Sequence, residues 1–193
     1  MLRLAKEADI PAMVDIYAPY VLSTTYTFEY TVPTLEAFTE RFRLCTRQCP
    51  WLVWEEDGAV LGYAYGSLPF DRAAYAWCSE ISVYIAPAAQ RRGVGRSLYT
   101  ALEHILFLQG YRVIYALITS ENHASLAFHQ EMGYRFTACM SDCGIKFGRQ
   151  LGVVWMEKRQ NVVEIPSVPP VPWRSIVKND RNFADILDNL SLS

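Results

Sequence analysis

Residues Gln90-Arg91-Arg92-Gly93-Val94-Gly95-Arg96-Ser97 stand between a β-prone run, Ile81 to Ile85, and a helical pattern that sets Leu98, Leu102 and Ile105 on one stripe. Two glycines one residue apart let the backbone turn tightly and approach a ligand closely. The helix that follows turns its unpaired N–H groups and the positive end of its dipole to the same place. Arg91, Arg92 and Arg96 add formal charge there. A strand, a Gly-x-Gly turn and a helix N-terminus in this order read as a cradle for a pyrophosphate.

The remaining composition narrows the class of protein. At 193 residues the chain suits one domain with an appendage, and with 51% hydrophobic residues it can bury a full core. A net charge of -2 argues against a general nucleic-acid binder, which favours a basic surface. Residues 1–10 carry mixed charges without an apolar core, and no run approaches the length of a membrane span, so the expectation is a cytosolic protein with no membrane contact. Five cysteines in such a protein should be reduced. Cys45 and Cys49 share a spacing with Cys139 and Cys143, but structural zinc prefers tighter knuckles, and no metal is expected.

Along the chain, Leu2 to Leu4 is a short strand, and Asp9 and Pro11 open a helix to about Tyr20. Pro33-Thr34 opens a second helix, with Leu35, Phe38, Phe42 and Cys45 on one face. Trp51 to Glu55 and Val60 to Leu68 flank an Asp57-Gly58 turn, the pattern of a hairpin. Tyr75 to Ile85 is a long strand, Gly95 to Gln109 a helix ended by Gly110, and Arg112 to Thr119 a strand covered on both faces. Asn122 to Met132 is a helix ended by Gly133, and Tyr134 to Met140 and Val153 to Glu157 are closing strands. Antiparallel strands followed by a strand–helix–strand–helix unit predict an α+β sheet rather than a doubly wound parallel one. A dinucleotide fold would also need a third glycine after Gly95, and none follows. The predicted division is a domain over 1–160 and an appendage over 161–193. In the appendage, Ile165 to Pro172 is a stiff extended linker, and Phe183, Ile186, Leu187 and Leu190 lie at helical spacing. That last segment is either a tail resting on the domain or a docking segment for a partner.

Gln90-x-x-Gly93-x-Gly95, with Asn122-x-x-Ser125-x-x-Phe128-His129-x-x-x-Gly133-Tyr134, resembles the two signatures of the GCN5-related N-acetyltransferase superfamily. Pro50-Trp51-Leu52-Val53, Gly62-Tyr63-Ala64-Tyr65, Ala74-Tyr75-x-Trp77-x-x-Glu80-x-Ser82-Val83-Tyr84 and Leu98-Tyr99 resemble its phosphinothricin and methionine sulfoximine acetyltransferase subgroup. The likeness runs from about Leu2 to Lys158. It implies a mostly antiparallel twisted sheet with one splayed parallel pair and flanking helices. It also implies acetyl-coenzyme A as co-substrate, a small-molecule amine as acceptor and a homodimer.

The resemblance distributes roles over this chain. Two neighbouring strands would splay after Val83, Tyr84 and Ile85, and exposed backbone groups there would pair with the pantetheine arm like an added strand. Arg91, Arg92, Gly93, Val94, Gly95, Arg96 and Ser97 would hold the pyrophosphate, and Asn122 and Ser125 would contact the coenzyme. His129 stands where many relatives carry a tyrosine that protonates the departing thiolate, and an ordinary imidazole pKa of about 6.5 suits that task. Glu80 would be the general base, its carboxyl raised by Tyr75, Trp77, Ile81 and Val83. Freeing an α-amine of pKa about 8 from its proton costs about 1.4 kcal/mol at pH 7, against about 4.6 for a lysine. Phe28, Glu29, Arg72, Tyr75 and Lys146 would line the acceptor site. The subgroup continues Arg-Trp-x-Asp where this chain has Arg149-Gln150-Leu151-Gly152, so the strand closing the acceptor site is altered. The expected activity is direct acetyl transfer to a small amino acid or its analogue. Its rivals are acetylation of a protein N-terminus and non-catalytic sensing of acyl-coenzyme A.

Overall fold

A computed structural model describes residues 1–161, 164–178 and 180–190. Its strands are β1 (Leu2–Leu4), β2 (Trp51–Glu56), β3 (Ala59–Ser67), β4 (Cys78–Ile85), β5 (Val113–Thr119), β6 (Arg135–Lys146) and β7 (Arg149–Arg159). Its helices are α1 (Ile10–Ser23), α2 (Leu35–Cys45), α3 (Val94–Gln109), α4 (His123–Glu131) and α5 (Asp180–Leu190). The strands form one sheet in the order β1-β2-β3-β4-β5-β7-β6. Among the described residues only β4 and β5 pair in parallel, and that pairing covers Cys78–Glu80 against Val113–Tyr115. The expected α+β sheet with one splayed parallel pair is therefore present. The splay begins after Glu80, earlier than the expected point beyond Ile85.

Alternation along the strands divides the interior in two. Leu52, Ile81, Ile114, Ala116 and Ile118 pack against Leu98, Leu102, Ile105 and Leu106 of α3. On the opposite face Trp51, Val53, Tyr63 and Tyr84 pack against Met13, Tyr17 and Val21 of α1 and Phe38 and Phe42 of α2. Thr34 caps α2 by accepting the Ala37 N–H at 3.1 Å, but Leu35 lies outside the buried stripe, half exposed. Asp9 does not cap α1. Its carboxylate takes both Arg3 guanidinium nitrogens at 2.8 Å and the Lys6 N–H at 2.7 Å, an ion-pair network that competes successfully for the expected cap.

Two strands differ from the sequence reading. Tyr75 belongs to a 3-10 turn, Ala73–Tyr75, and β4 starts only at Cys78. The closing hairpin is longer than its hydrophobic pattern suggests, because β6 continues through a register irregularity between Met140 and Gly144 to Lys146. Phe147 (φ 51) and Gly148 (φ 70) turn that hairpin, as Asp57 (φ 50) and Gly58 (φ 78) turn the first, both in left-handed conformations.

The appendage is tied to the domain at several points. The Trp173 indole N–H donates to the Thr46 carbonyl at 2.9 Å, and the Gln109 side chain donates to the Gln48 and Val171 carbonyls at 2.8 and 2.7 Å. Val177, Phe183 and Ile186 are buried in the α3-side core. The Leu190 side chain, expected on the same stripe, lies outside the described residues. Among the described residues no helix is long and apolar enough to cross a membrane.

Candidate active site

The fork between β4 and β5 forms a cleft lined by Tyr20, Tyr26, Ser82, Val83, Leu117, Asn122, Ser125 and His129, among others. The Trp77 carbonyl accepts from Arg112 and Val113 at 2.8 and 3.3 Å, so odd-numbered residues of β4 turn their backbone groups to the β5 side. Beyond Glu80 that side is the cleft, and Ile81, Val83 and Ile85 face it. Tyr84, expected among the backbone contacts, faces β3 in register with Tyr63. Ile85 is already engaged: the Tyr20 hydroxyl donates to its carbonyl at 2.7 Å and accepts its N–H at 3.3 Å.

A second hollow at the far end of the fork is lined by Ile85, Gln90, Arg91, Gly93, Gly95, Arg96 and Phe128. Gly93 is the N-cap of α3 at φ 83, and no side chain caps the helix. The Ser97 N–H reaches the Gly93 carbonyl at 3.0 Å, so the N–H groups of Val94, Gly95 and Arg96 precede the first intrahelical bond and remain donors. A Cβ on Gly93 would meet nothing within 4 Å, and its requirement for glycine is conformational. A Cβ on Gly95 would meet only Ile85 at 3.7 Å, an ordinary contact that leaves the space in front of it open to a ligand. Arg91 lines the hollow with φ 60. Arg92 is turned towards the β2–β3 hairpin, its guanidinium 2.6 Å from the Glu56 carboxylate. Arg96 lies beside the hollow and pairs with Glu131 at 2.9 Å, while Ser97 is exposed on the first turn. Uncapped N–H groups, a positive-φ turn and unclaimed space before Gly95 fit a pyrophosphate.

Glu80 is the last paired residue before the fork, opposite Tyr115 on one side and Ser67 on the other. It is half-buried, and burial raises its carboxyl above the ordinary range. The expected surroundings need correction: Ile81 and Val83 point to the α3 face, and Glu80 shares its face with Ser82 and Tyr84. Glu80 is set back at the vertex and is not among the cleft-lining residues.

Asn122 caps α4, its side-chain oxygen accepting the Ser125 N–H at 3.1 Å, which leaves its amide NH2 as donor. His129 is buried, and burial pushes its pKa down to about 4. Nδ1 lies 2.7 Å from the Ser125 carbonyl and 3.2 Å from its hydroxyl, and Nε2 lies 2.6 Å from the Tyr99 hydroxyl. An imidazole that is neutral at pH 7 and bonded at both nitrogens is not the acid of ordinary pKa expected from the sequence.

The expected acceptor residues separate into two groups. In the first, the segment between α1 and α2 docks on the β6–β7 hairpin. The Lys146 ammonium, buried, donates to the Thr27 carbonyl at 2.7 Å; Glu29 pairs with Arg41; Phe28 lies against Gly144, where any Cβ would clash at 2.3 Å. Lys146 and Glu29 are thus already partnered within the protein, and Glu29 retains one buried carboxylate oxygen without a partner. In the second group, Tyr75 lies 4.6 Å from Phe70, which stacks on Trp155 at 6.0 Å, and Trp155 meets Tyr115 edge-on at 5.6 Å. Arg72 is exposed at the start of this segment. Phe70, Tyr115 and Trp155 were not anticipated. Register pairs Leu117 with Trp155 and Tyr115 with Glu80, and this cross-strand pairing, invisible before the strand order is known, builds the aromatic wall beside the vertex. Among the described residues no group of three or more His, Cys, Asp or Glu could hold a metal ion.

The sequence profile of the acetyltransferase (GNAT) domain matches residues 2–155. The phosphinothricin N-acetyltransferase of Alcaligenes faecalis is 37% identical over 163 residues, covering 82% of each chain. The L-methionine sulfoximine/L-methionine sulfone acetyltransferase of Salmonella typhimurium is 38% identical over 81% of this chain and 92% of its own. Among solved structures, a GNAT superfamily phosphinothricin acetyltransferase from Sinorhizobium meliloti in complex with AcCoA superposes with a TM-score of 0.81 at 32% identity, covering 89% of this chain and 92% of that one. A profile that spans the fork, the cradle and the closing strands, with relatives above 30% identity over most of their length, makes this chain a member of the GCN5-related N-acetyltransferase (GNAT) family.

Proposed function

We propose that this enzyme transfers the acetyl group of acetyl-coenzyme A directly to the amine of a small amino acid or analogue of the phosphinothricin and methionine sulfoximine kind. The observation that carries the reading is the fork itself, where the carboxyl of Glu80 stands at the vertex of a cleft leading to uncapped helix N–H groups. Ile81 and Val83 would pair with the pantetheine arm. Gly93 to Arg96, with Arg91, would hold the pyrophosphate. Glu80 would take the proton of the incoming amine, directly or through a water, its raised pKa bringing it nearer to that of an α-amine. Arg72 and Tyr75, beside the aromatic wall, are the acceptor contacts this geometry favours, since an exposed guanidinium suits a carboxylate or phosphinate. Lys146, Phe28 and Glu29 shape the site from behind by holding the 24–34 segment on the hairpin.

A cytosolic setting and a homodimer belong to the same reading. All five cysteines are free thiols, as a reducing compartment keeps them. Among the described residues β6 has a neighbour on one edge only and exposes Phe136, Met140 and Ile145, an edge that a second copy would cover. Light scattering at micromolar concentration should give twice the chain mass, and a monomer refutes the dimer. Thiol release from acetyl-coenzyme A across free amino acids, methionine sulfone and sulfoximine, phosphinothricin, polyamines and short peptides tests the activity. Turnover confined to small amino acids or analogues is expected. Turnover on peptides alone would move the acceptor to protein N-termini, and tight coenzyme binding without turnover on any amine would make the protein a sensor.

A further inference from the structure

Away from the fork, a hollow of about 400 Å³ opens where three stretches of chain meet. They are Ala5 to Glu7, the end of α2 with the turn after it, and Trp173 and Arg174 of the appendage. The hollow shares no lining residue with the cleft or with the space before Gly95. Its Trp173 and Arg174 wall lies beyond residues 2–155, the part that the family profile matches.

Positive charge is concentrated there. Lys6, Arg43, Arg47 and Arg174 line the hollow beside a single carboxylate, Glu7, a formal +3 in a chain of net charge -2. Arg43 is engaged with Glu7, whose two oxygens lie 2.8 and 2.7 Å from its nitrogens. A helix end draws cations to its last carbonyls, and Arg174 meets that demand by donating to the Thr46 carbonyl while stacking 4.5 Å over Trp173. Only one Arg174 nitrogen is used in this way. Among the described residues no carboxylate pairs with Lys6, Arg47 or Arg174.

We propose that this hollow binds a small phosphate ester through Lys6, Arg47 and Arg174. Cations gathered round an open space repel one another, and an anion placed among them relieves that repulsion. A carboxylate would offset only one of the three charges. A phosphoryl group carries nearly two charges above about pH 6 and offers three acceptor oxygens, which suits three donors arriving from three segments. The space is larger than a phosphate ion needs and falls within the range of small-ligand sites, with Phe42 and Trp173 as apolar contacts for a carbon skeleton. Because Trp173 and Arg174 form one wall, the site is complete only with the appendage docked, and the ester in turn holds the appendage on the domain. The acetyl-transfer reading plays no part in this site.

The test uses the full chain, saturated with coenzyme A to fill the cradle and titrated in a calorimeter with glycerol 3-phosphate, ribose 5-phosphate and inorganic phosphate. At least one ester should bind about tenfold tighter than inorganic phosphate, and added salt should weaken it. Arg47→Ala, at an exposed side chain with no ion-pair partner to lose, should weaken the ester about tenfold. Arg47→Lys should weaken it less, and Arg91→Ala, in the cradle, not at all. In hydrogen exchange the bound ester should slow the N–H groups of Ser175, Ile176 and Val177, which bond to the Pro172 and Trp173 carbonyls. Inorganic phosphate binding as tightly as both esters marks an adventitious ion only and overturns the proposal. An affinity unchanged in Arg47→Ala overturns it too, as does one lost in Arg91→Ala instead, which returns the anion to the cradle. Binding that leaves exchange at Ser175 to Val177 unaltered, or no binding by any of the three anions, overturns it as well.

Discussion

The two sides of the fork differ in what they leave unsatisfied. On the donor side, most open groups are on the backbone, the first N–H groups of α3 and the cleft-facing groups of Ile81 and Val83, joined by the side-chain NH2 of Asn122. On the acceptor side, side chains are already matched with one another, Lys146 with Thr27, Glu29 with Arg41, Phe28 with Gly144. An invariant ligand can be met by backbone geometry that tolerates sequence change around it. An acceptor has to be met by side chains, and here several of these are spent on building the wall rather than facing the ligand. On the proposed function, donor recognition and acceptor recognition would fall to different kinds of structure within one cleft.

The sharpest way to break this division is at Glu80, where the two sides meet. Glu80→Gln should lower kcat about a hundredfold and leave coenzyme binding unchanged, read by thiol release and calorimetry. Comparable loss of coenzyme affinity would place Glu80 on the donor side. A second probe is acid. His129 has its pKa depressed to about 4 by burial, below its unfolded value of about 6.5. The unfolded chain binds the extra proton first, so this group's contribution to stability is full above about pH 6.5 and is lost as pH falls towards 4. Between pH 7 and 5 the loss should be roughly 2 kcal/mol, visible as a lower Tm that Tyr99→Phe and coenzyme would each modulate. A Tm independent of pH over that range would contradict the burial of His129. On the acceptor side, Lys146→Met removes a charged donor and strands the Thr27 carbonyl. It should cost about 1–2 kcal/mol in denaturant unfolding and raise the acceptor KM, with coenzyme affinity unchanged.

What the sequence disclosed follows the same division. The Gly-x-Gly turn and the start of α3 were legible because glycine dihedrals and strand–turn–helix order are local properties. The mixed α+β sheet was legible from the order of strands and helices, whereas its splayed parallel pair came from the family resemblance. The burial of His129 was not, because it depends on Tyr99, thirty positions away in the chain and on another helix. Nor was the inward turn of Lys146, whose partner Thr27 lies 119 positions away. Glu80's true neighbours became visible only with the register, since one step along a strand exchanges its faces. Arg92 illustrates the residual ambiguity of charge: beside a cradle in sequence, its guanidinium is held by Glu56 on the neighbouring hairpin.

The two cradle glycines are unlike in what they ask of the protein. Gly93→Ala would force a side chain into a left-handed conformation, at a cost of about 1 kcal/mol, although no neighbouring atom stands within 4 Å. Gly95 is the second residue of α3 with ordinary space beside it, and Gly95→Ala should raise stability by about 0.5 kcal/mol or less in chemical denaturation while weakening coenzyme binding. A stability gain without loss of affinity would show that the hollow is not the pyrophosphate site. The native residue at this position therefore keeps the helix weaker than the surrounding packing requires. If the proposed pyrophosphate site holds, Gly95 marks a trade-off in which folding would prefer one residue and the ligand another.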